Sequence, residues 1–173
     1  TPIRYDSIND GAETGTLANP HEITRFPYEH LGWTAGAASD VFDSYSCEPD
    51  TDESGPEQIY HLEVASAGTL DLRVSCDNSV DADIHVLDGP SSDSCIARHH
   101  TDLSVWLDPG EHWIVVDTWV GSYEYAGPYI LTGTFSGTLG DSGDDPVVDT
   151  GDDPVVDTGD DTPDDTGGQD QPD

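Results

Sequence analysis

Residues 102–119 read DLSVWLDPGEHWIVVDTW. Leu103, Val105 and Leu107 recur at every second position, which is the period of a strand with one buried face, and Trp106 falls on the opposite face. Asp108-Pro109-Gly110 turns the chain, and the run from Glu111 to Trp119 is then apolar on both faces, as in a central strand covered from two sides. Working outward, Tyr60, Leu62 and Val64 alternate with polar residues, Ser66-Ala67-Gly68 turns, and Leu70, Leu72 and Val74 repeat the pattern. Ile84 and Val86 share one face of DADIHVLDGP (81–90), and Tyr129, Leu131 and Phe135 share one face of GPYILTGTF (127–135). Turn residues interrupt this alternation about every eight to twelve positions, and no helical period of useful length competes with it, so the expectation is an all-β antiparallel sandwich.

The domain is expected to span residues 21–137, with HEITRFPY (21–28) as an edge strand in which Pro27 needs no donor. Residues 1–20, rich in Gly and Asn, read as a loose N-terminal arm, and 138–173 as an acidic low-complexity tail. In residues 141–173 there are 13 Asp, no Lys, Arg or aromatic residue, and four Val as the sizeable hydrophobes. Such a segment cannot bury enough apolar surface to offset its ordering entropy, and is expected to be disordered or extended.

The chain has 173 residues, 37 Asp and Glu, and four basic side chains, Arg4, Arg25, Arg73 and Arg98, for a net charge of −33. That charge argues against nucleic acid and anionic membranes as partners, and favours cations, basic surfaces or neutral polymers. No stretch approaches the ~18 consecutive apolar residues of a membrane span, so membrane insertion is not expected. The absence of Met and the start at Thr1 lead to the expectation of an exported, mature chain, secreted or held at a bacterial cell surface. Three cysteines, Cys47, Cys76 and Cys95, suit one disulfide and one leftover thiol in an oxidising compartment, and their number does not settle the pairing.

FDSYSCEPDTDESGPEQIYHLEV (42–64), GTLDLRVS (68–75), DADIHVLDG (81–89), CIARHHTDLSVWLDPGEHWIVVDTWV (95–120) and YAGPYILTGTF (125–135), in that order, resemble the bacterial pre-peptidase C-terminal domain in the form found in secreted proteins of myxobacteria and relatives. The resemblance covers roughly residues 24–136; DESGPE (52–57), the D-x-D-x-x-V-L strand and the L-x-P-G-x-x-x-x-V-V-D hairpin are its most specific parts. It implies a jelly-roll-like sandwich appended to secreted hydrolases, without catalytic machinery, which in collagenase relatives binds matrix polymers and is stiffened by calcium. It also implies a Cys47–Cys95 disulfide, with Cys76–Cys95 as the competing pair.

Calcium requires six to eight oxygen ligands. CEPDTDESGPE (47–57) offers Asp50, Asp52, Glu53 and Glu57, which the implied fold brings near Asp81 and Asp83; Asp117 and Glu124 form a second candidate pair. His99 and His100, with His61 and His85, raise zinc, but adjacent histidines on a strand point to opposite faces and do not share an ion. No G-x-S-x-G elbow or other nucleophile signature is present, and no enzyme activity is expected. Trp106, Trp119, Tyr123 and Tyr125 are candidates for a binding surface toward an extracellular polymer or protein.

The tail repeats GDDPVVDT from residue 143. Eight residues with one Gly and a Pro do not match the nine-residue, glycine-rich calcium roll, and a self-repelling tether fits the composition better. The expectation is a non-catalytic exported module for extracellular binding or assembly. The alternatives are a subunit of a fibre or surface appendage whose arm or PVV pairs dock on neighbouring copies by strand addition, and an accessory targeting domain of a hydrolase.

Overall fold

A computed structural model describes residues 14–140. Ten strands follow one another as β1 (His21–Glu22), β2 (Tyr28–Trp33), β3 (Gln58–Ser66), β4 (Gly68–Cys76), β5 (Ala82–Leu87), β6 (Cys95–His99), β7 (Asp102–Leu107), β8 (Gly110–Thr118), β9 (Pro128–Phe135) and β10 (Thr138–Leu139). They make two sheets. One runs β1-β3-β8-β5-β6 with β10 also on β3, and the other runs β2-β9-β4-β7. The sheets are antiparallel except where β1 lies parallel to β3.

The alternation read from the sequence is the inner lining of this sandwich. Tyr60, Leu62 and Val64 on β3, Ile84 and Val86 on β5, and Ile114 and Val116 on β8 face Leu70, Leu72 and Val74 on β4, Leu103 and Leu107 on β7, and Tyr129 and Leu131 on β9. Burying each side chain contributes roughly 1.5–3 kcal/mol against the entropy of ordering it.

β8 is apolar on both faces because a second, smaller core covers its other side. Phe42 and Tyr45, from the segment 34–57, pack on Ile59 of β3, Leu87 of β5 and Val115 of β8. That segment forms no long ladder and is held by isolated bridges, Ser39 to Glu57 and Tyr45 to Glu48. A Cys47–Cys95 disulfide, with Cα atoms 5.4 Å apart, ties it to β6. Cys76 is the free thiol, so the Cys76–Cys95 alternative does not hold.

The boundaries differ from the sequence expectation in three places. HEITRFPY is not one strand: β1 ends after two residues, the Phe26–Pro27 peptide is cis, and the edge strand β2 begins only after Pro27. Part of the supposed arm is fixed, because the Gly15 carbonyl accepts from the Ile59 N–H at 2.8 Å and Leu17 packs on the second core. β10, beyond residue 137, adds to the edge of β3. The rest of the arm and the repeat tail from residue 141 lie outside the described residues.

Candidate functional site

Where segment 34–57 covers β5, β6 and β8, a row of ionisable side chains sits between sheet and cover. On β5 the residues that alternate with the inner Ile84 and Val86 are Asp83, His85 and Leu87, all fully buried. Asp83 Oδ2 accepts from Arg98 Nη2 at 2.7 Å, and Glu53 Oε1 lies 3.3 Å from the same nitrogen. His100 Nδ1 lies 2.5 Å from Asp83 Oδ1. Arg98 is thus the cation of the cluster.

Burial raises the Glu53 carboxyl to about 9; a hydrogen bond to Asp83 and that group's charge add to the rise, and Arg98 opposes it. Glu53 Oε2 has no other hydrogen-bond partner, and a proton held on Glu53 lets that carboxyl donate to Asp83. Asp117 accepts from the Tyr45 hydroxyl and from the Thr118 N–H, and burial pushes its carboxyl well above the usual range. Glu57 accepts from the Ser39 hydroxyl and the Val41 N–H, and burial raises it too.

Of the six expected calcium ligands, Asp81 and Asp83 come together with His100, one ligand atom of each lying within 4.8 Å of the others, and Glu53 hydrogen-bonds Asp83. Asp50 and Asp52 are exposed, or nearly so, and Asp52 is engaged by the Ser54 N–H and hydroxyl. Glu57 is engaged by donors of the cover, while Glu53 and Asp83 hold the Arg98 guanidinium. Asp81 is left at the surface, with its Oδ1 3.9 Å from His100 Nδ1. Of the second pair, Asp117 is buried under Tyr45 and Glu124 is exposed. The four histidines raised for zinc are dispersed: His61 pairs with Glu22, His99 accepts from the Thr101 and Asp102 N–H groups, His100 meets Asp83, and His85 lies under Tyr45.

The aromatic candidates divide as well. Trp106, 61% exposed, stands on β7 before the turn into β8, whereas Trp119 follows the far end of β8. The nine residues of β8 separate them by about 30 Å. Trp119, Tyr123 and Tyr125 do meet: Trp119 and Tyr125 stack at 5.3 Å, and Tyr123 and Tyr125 lie 4.1 Å apart. The indole lies directly on Gly121, where a Cβ would come within 2.4 Å of the ring.

Beside this cluster is a pocket of about 320 Å³, lined by Glu48, Thr51, Asp81, Arg98, His100 and Trp119. Backbone hydrogen bonds stitch its walls together. Val120 N–H donates to the Asp52 carbonyl at 3.0 Å, Trp119 N–H to Asp81 at 3.1 Å, and Asp81 N–H to Tyr125 at 3.0 Å. Three loops far apart in sequence thus form one rigid rim. A larger groove, about 570 Å³, crosses the outer face of the four-stranded sheet past Tyr28, Asp71, Arg73 and Asp102, but Arg73 and Asp102 already pair at 3.0 Å.

Sequence reasoning found Trp119, Asp81 and His100 separately and missed Arg98, Tyr45 and Glu48. Arg98 had one available signal: it is a lone basic residue opposite two acids of the DADIHVL strand in a very acidic chain.

No family model matches the chain, and a search of curated proteins returns no match. Among solved structures it is similar to PliG of Aeromonas hydrophila, a periplasmic inhibitor of g-type lysozyme, at 12% identity and a TM-score of 0.47, covering 70% of this chain and 96% of that one. It is similar to the pre-peptidase C-terminal domain of a Bacillus anthracis collagenase at 14% identity and a TM-score of 0.44, covering 73% and 99%. A family 35 carbohydrate-binding module of Cellvibrio japonicus Abf62 is similar at 13% identity and a TM-score of 0.33, covering 64% and 92%.

Proposed function

We propose that this chain is a non-catalytic binding module of an extracellular or periplasmic protein, and that its ligand seat is the pocket beside Trp119. The disulfide supports an oxidising compartment. The observation that carries the reading is the stitched rim: an aromatic cluster and a polar pocket are held side by side by backbone hydrogen bonds, so the seat is formed before any ligand arrives.

The chemistry of the seat fits a neutral polysaccharide. The Trp119 indole gives the seat an apolar wall for a sugar ring, while Glu48, Asp81, Thr51 and Arg98 offer acceptors and donors for hydroxyl groups. A net charge of −33 disfavours anionic polymers. Calcium belongs to this proposal as a screening counter-ion of the acidic surface rather than as a caged ion.

Affinity electrophoresis in native gels containing soluble neutral polysaccharides tests the reading. Wild-type protein should be retarded by at least one polymer, and Trp119→Ala, with its melting temperature checked, should bind about tenfold more weakly, a difference of about 1.4 kcal/mol. Retardation by none of the polymers, or equal retardation of the variant, sinks it.

A further inference from the structure

His85 has no use in the binding seat, and its surroundings are unusual. The ring is fully buried on the outer row of β5, and Tyr45 stacks on it at 3.6 Å. Neither ring nitrogen has a hydrogen-bond partner; the nearest acidic group, Glu53 Oε1, stands 3.8 Å from Nε2. A buried imidazole with both nitrogens orphaned is costly and calls for an explanation. What lies beside it is the disulfide: one ring nitrogen of His85 and the sulfurs of Cys47 and Cys95 all lie within 4.8 Å of one another.

We propose that Cys47, Cys95 and His85 form a zinc site that a dithiol reductant opens. In the oxidised protein the sulfurs are bonded to each other and offer no thiolate. A dithiol delivers two electrons to the bridge, the S–S bond breaks, Cys47 and Cys95 are released as thiols, and the reductant closes into its own disulfide. Zn²⁺ then displaces one proton from each thiol and takes two sulfurs and the imidazole nitrogen as ligands, with a fourth position open to water.

The geometry suits this set. Two thiolates bound to one tetrahedral zinc stand about 3.8 Å apart, so the sulfurs have only to rotate away from each other within the space they share with the ring. Both cysteines are half-buried, so reductant and ion arrive from outside while His85 approaches from within. The ion clamps segment 34–57 to the sheet when the covalent clamp is open.

The test uses the full chain with Cys76→Ser, which removes the unrelated thiol. The protein is reduced anaerobically and titrated with Co²⁺ as a spectroscopic probe, then with Zn²⁺ in competition with a chelator. The expected result is one ion per chain with thiolate-to-cobalt charge-transfer absorption, absent from the oxidised protein. Adding His85→Gln should weaken zinc binding by at least the roughly 10–100-fold that loss of a supporting partner costs. Because reduction or the substitution can loosen the cover, near-ultraviolet circular dichroism is followed in parallel, and zinc should restore the oxidised spectrum of the reduced protein. Absence of the thiolate band, unchanged affinity in His85→Gln, or a spectrum that zinc does not restore each overturns the proposal.

Discussion

Arg98 sits where two buried acids converge, 2.7 Å from Asp83 and 3.3 Å from Glu53, and its removal takes from both the guanidinium they bond. Breaking a buried pair from one side costs about 3–5 kcal/mol, so Arg98→Met should lower the urea midpoint accordingly; a loss below about 1 kcal/mol would show that the cluster does not depend on the guanidinium. Glu53 makes a separate point about pH. Its folded value, about 9, lies above the ordinary 4.5, so the folded chain keeps a proton that the unfolded chain gives up in between. Stability is therefore lost as pH rises through that interval, by up to about 1.4 kcal/mol per unit for this one proton. Urea unfolding of Glu53→Gln between about pH 6 and pH 8 should show a decline flatter by about that amount per unit than wild type, and an identical slope would contradict the assignment of the proton.

At the scale of elements, two contacts decide how strands and cover stay together. β2 closes on β9 because Gly32 lies against the Tyr129 ring, where a Cβ would come within 2.3 Å of it. Gly32→Ala should destabilise by about 1–3 kcal/mol by pushing the edge strand off its neighbour, read as a lower melting temperature with the rest of the sandwich intact. The disulfide closes a loop of 48 residues and contributes roughly 4 kcal/mol in the chain-entropy treatment. The inner rows of these strands were legible in the sequence because burial on one face imposes a period of two, as at Leu70, Leu72 and Val74. The cover was not, because segment 34–57 lies on the sheet through single side chains such as Phe42 and Tyr45 rather than through a repeating face. Without the cover, Asp83 and Glu53 look like free loop or strand acids, and the guanidinium they share is not legible from their spacing. The seat was half legible: Trp119, Tyr123 and Tyr125 are close in sequence, while Glu48 and Arg98 reach them only through the fold.

For the whole molecule, charge and buried histidines pull stability in opposite directions with pH. His30 is lowered to about 4 and His85 to about 3, burial being the main cause in each, so the unfolded chain takes up their protons first. Their contribution is complete above the ordinary 6.5 and is lost as pH falls toward 4. The raised acids act in the opposite sense, their contribution being lost as pH rises, and a thermal-melting series that rises steadily to alkaline pH would contradict the account of both. If calcium acts as a screening counter-ion, calcium and magnesium at equal concentration should raise the melting temperature alike by screening a net charge of −33; a rise with calcium alone would mean that the acids do gather around an ion. The claim that joins these levels is that the Trp119 rim is the seat of a neutral polysaccharide. Its most direct measurement is a titration of the isotopically labelled full chain with such a polymer, followed by amide and side-chain chemical shifts. The shifts should cluster at Glu48, Thr51, Asp81, Arg98, His100 and Trp119. Shifts confined to the outer face of the four-stranded sheet, at Leu31, Trp33 and Ile130, or no shifts at all, would contradict it.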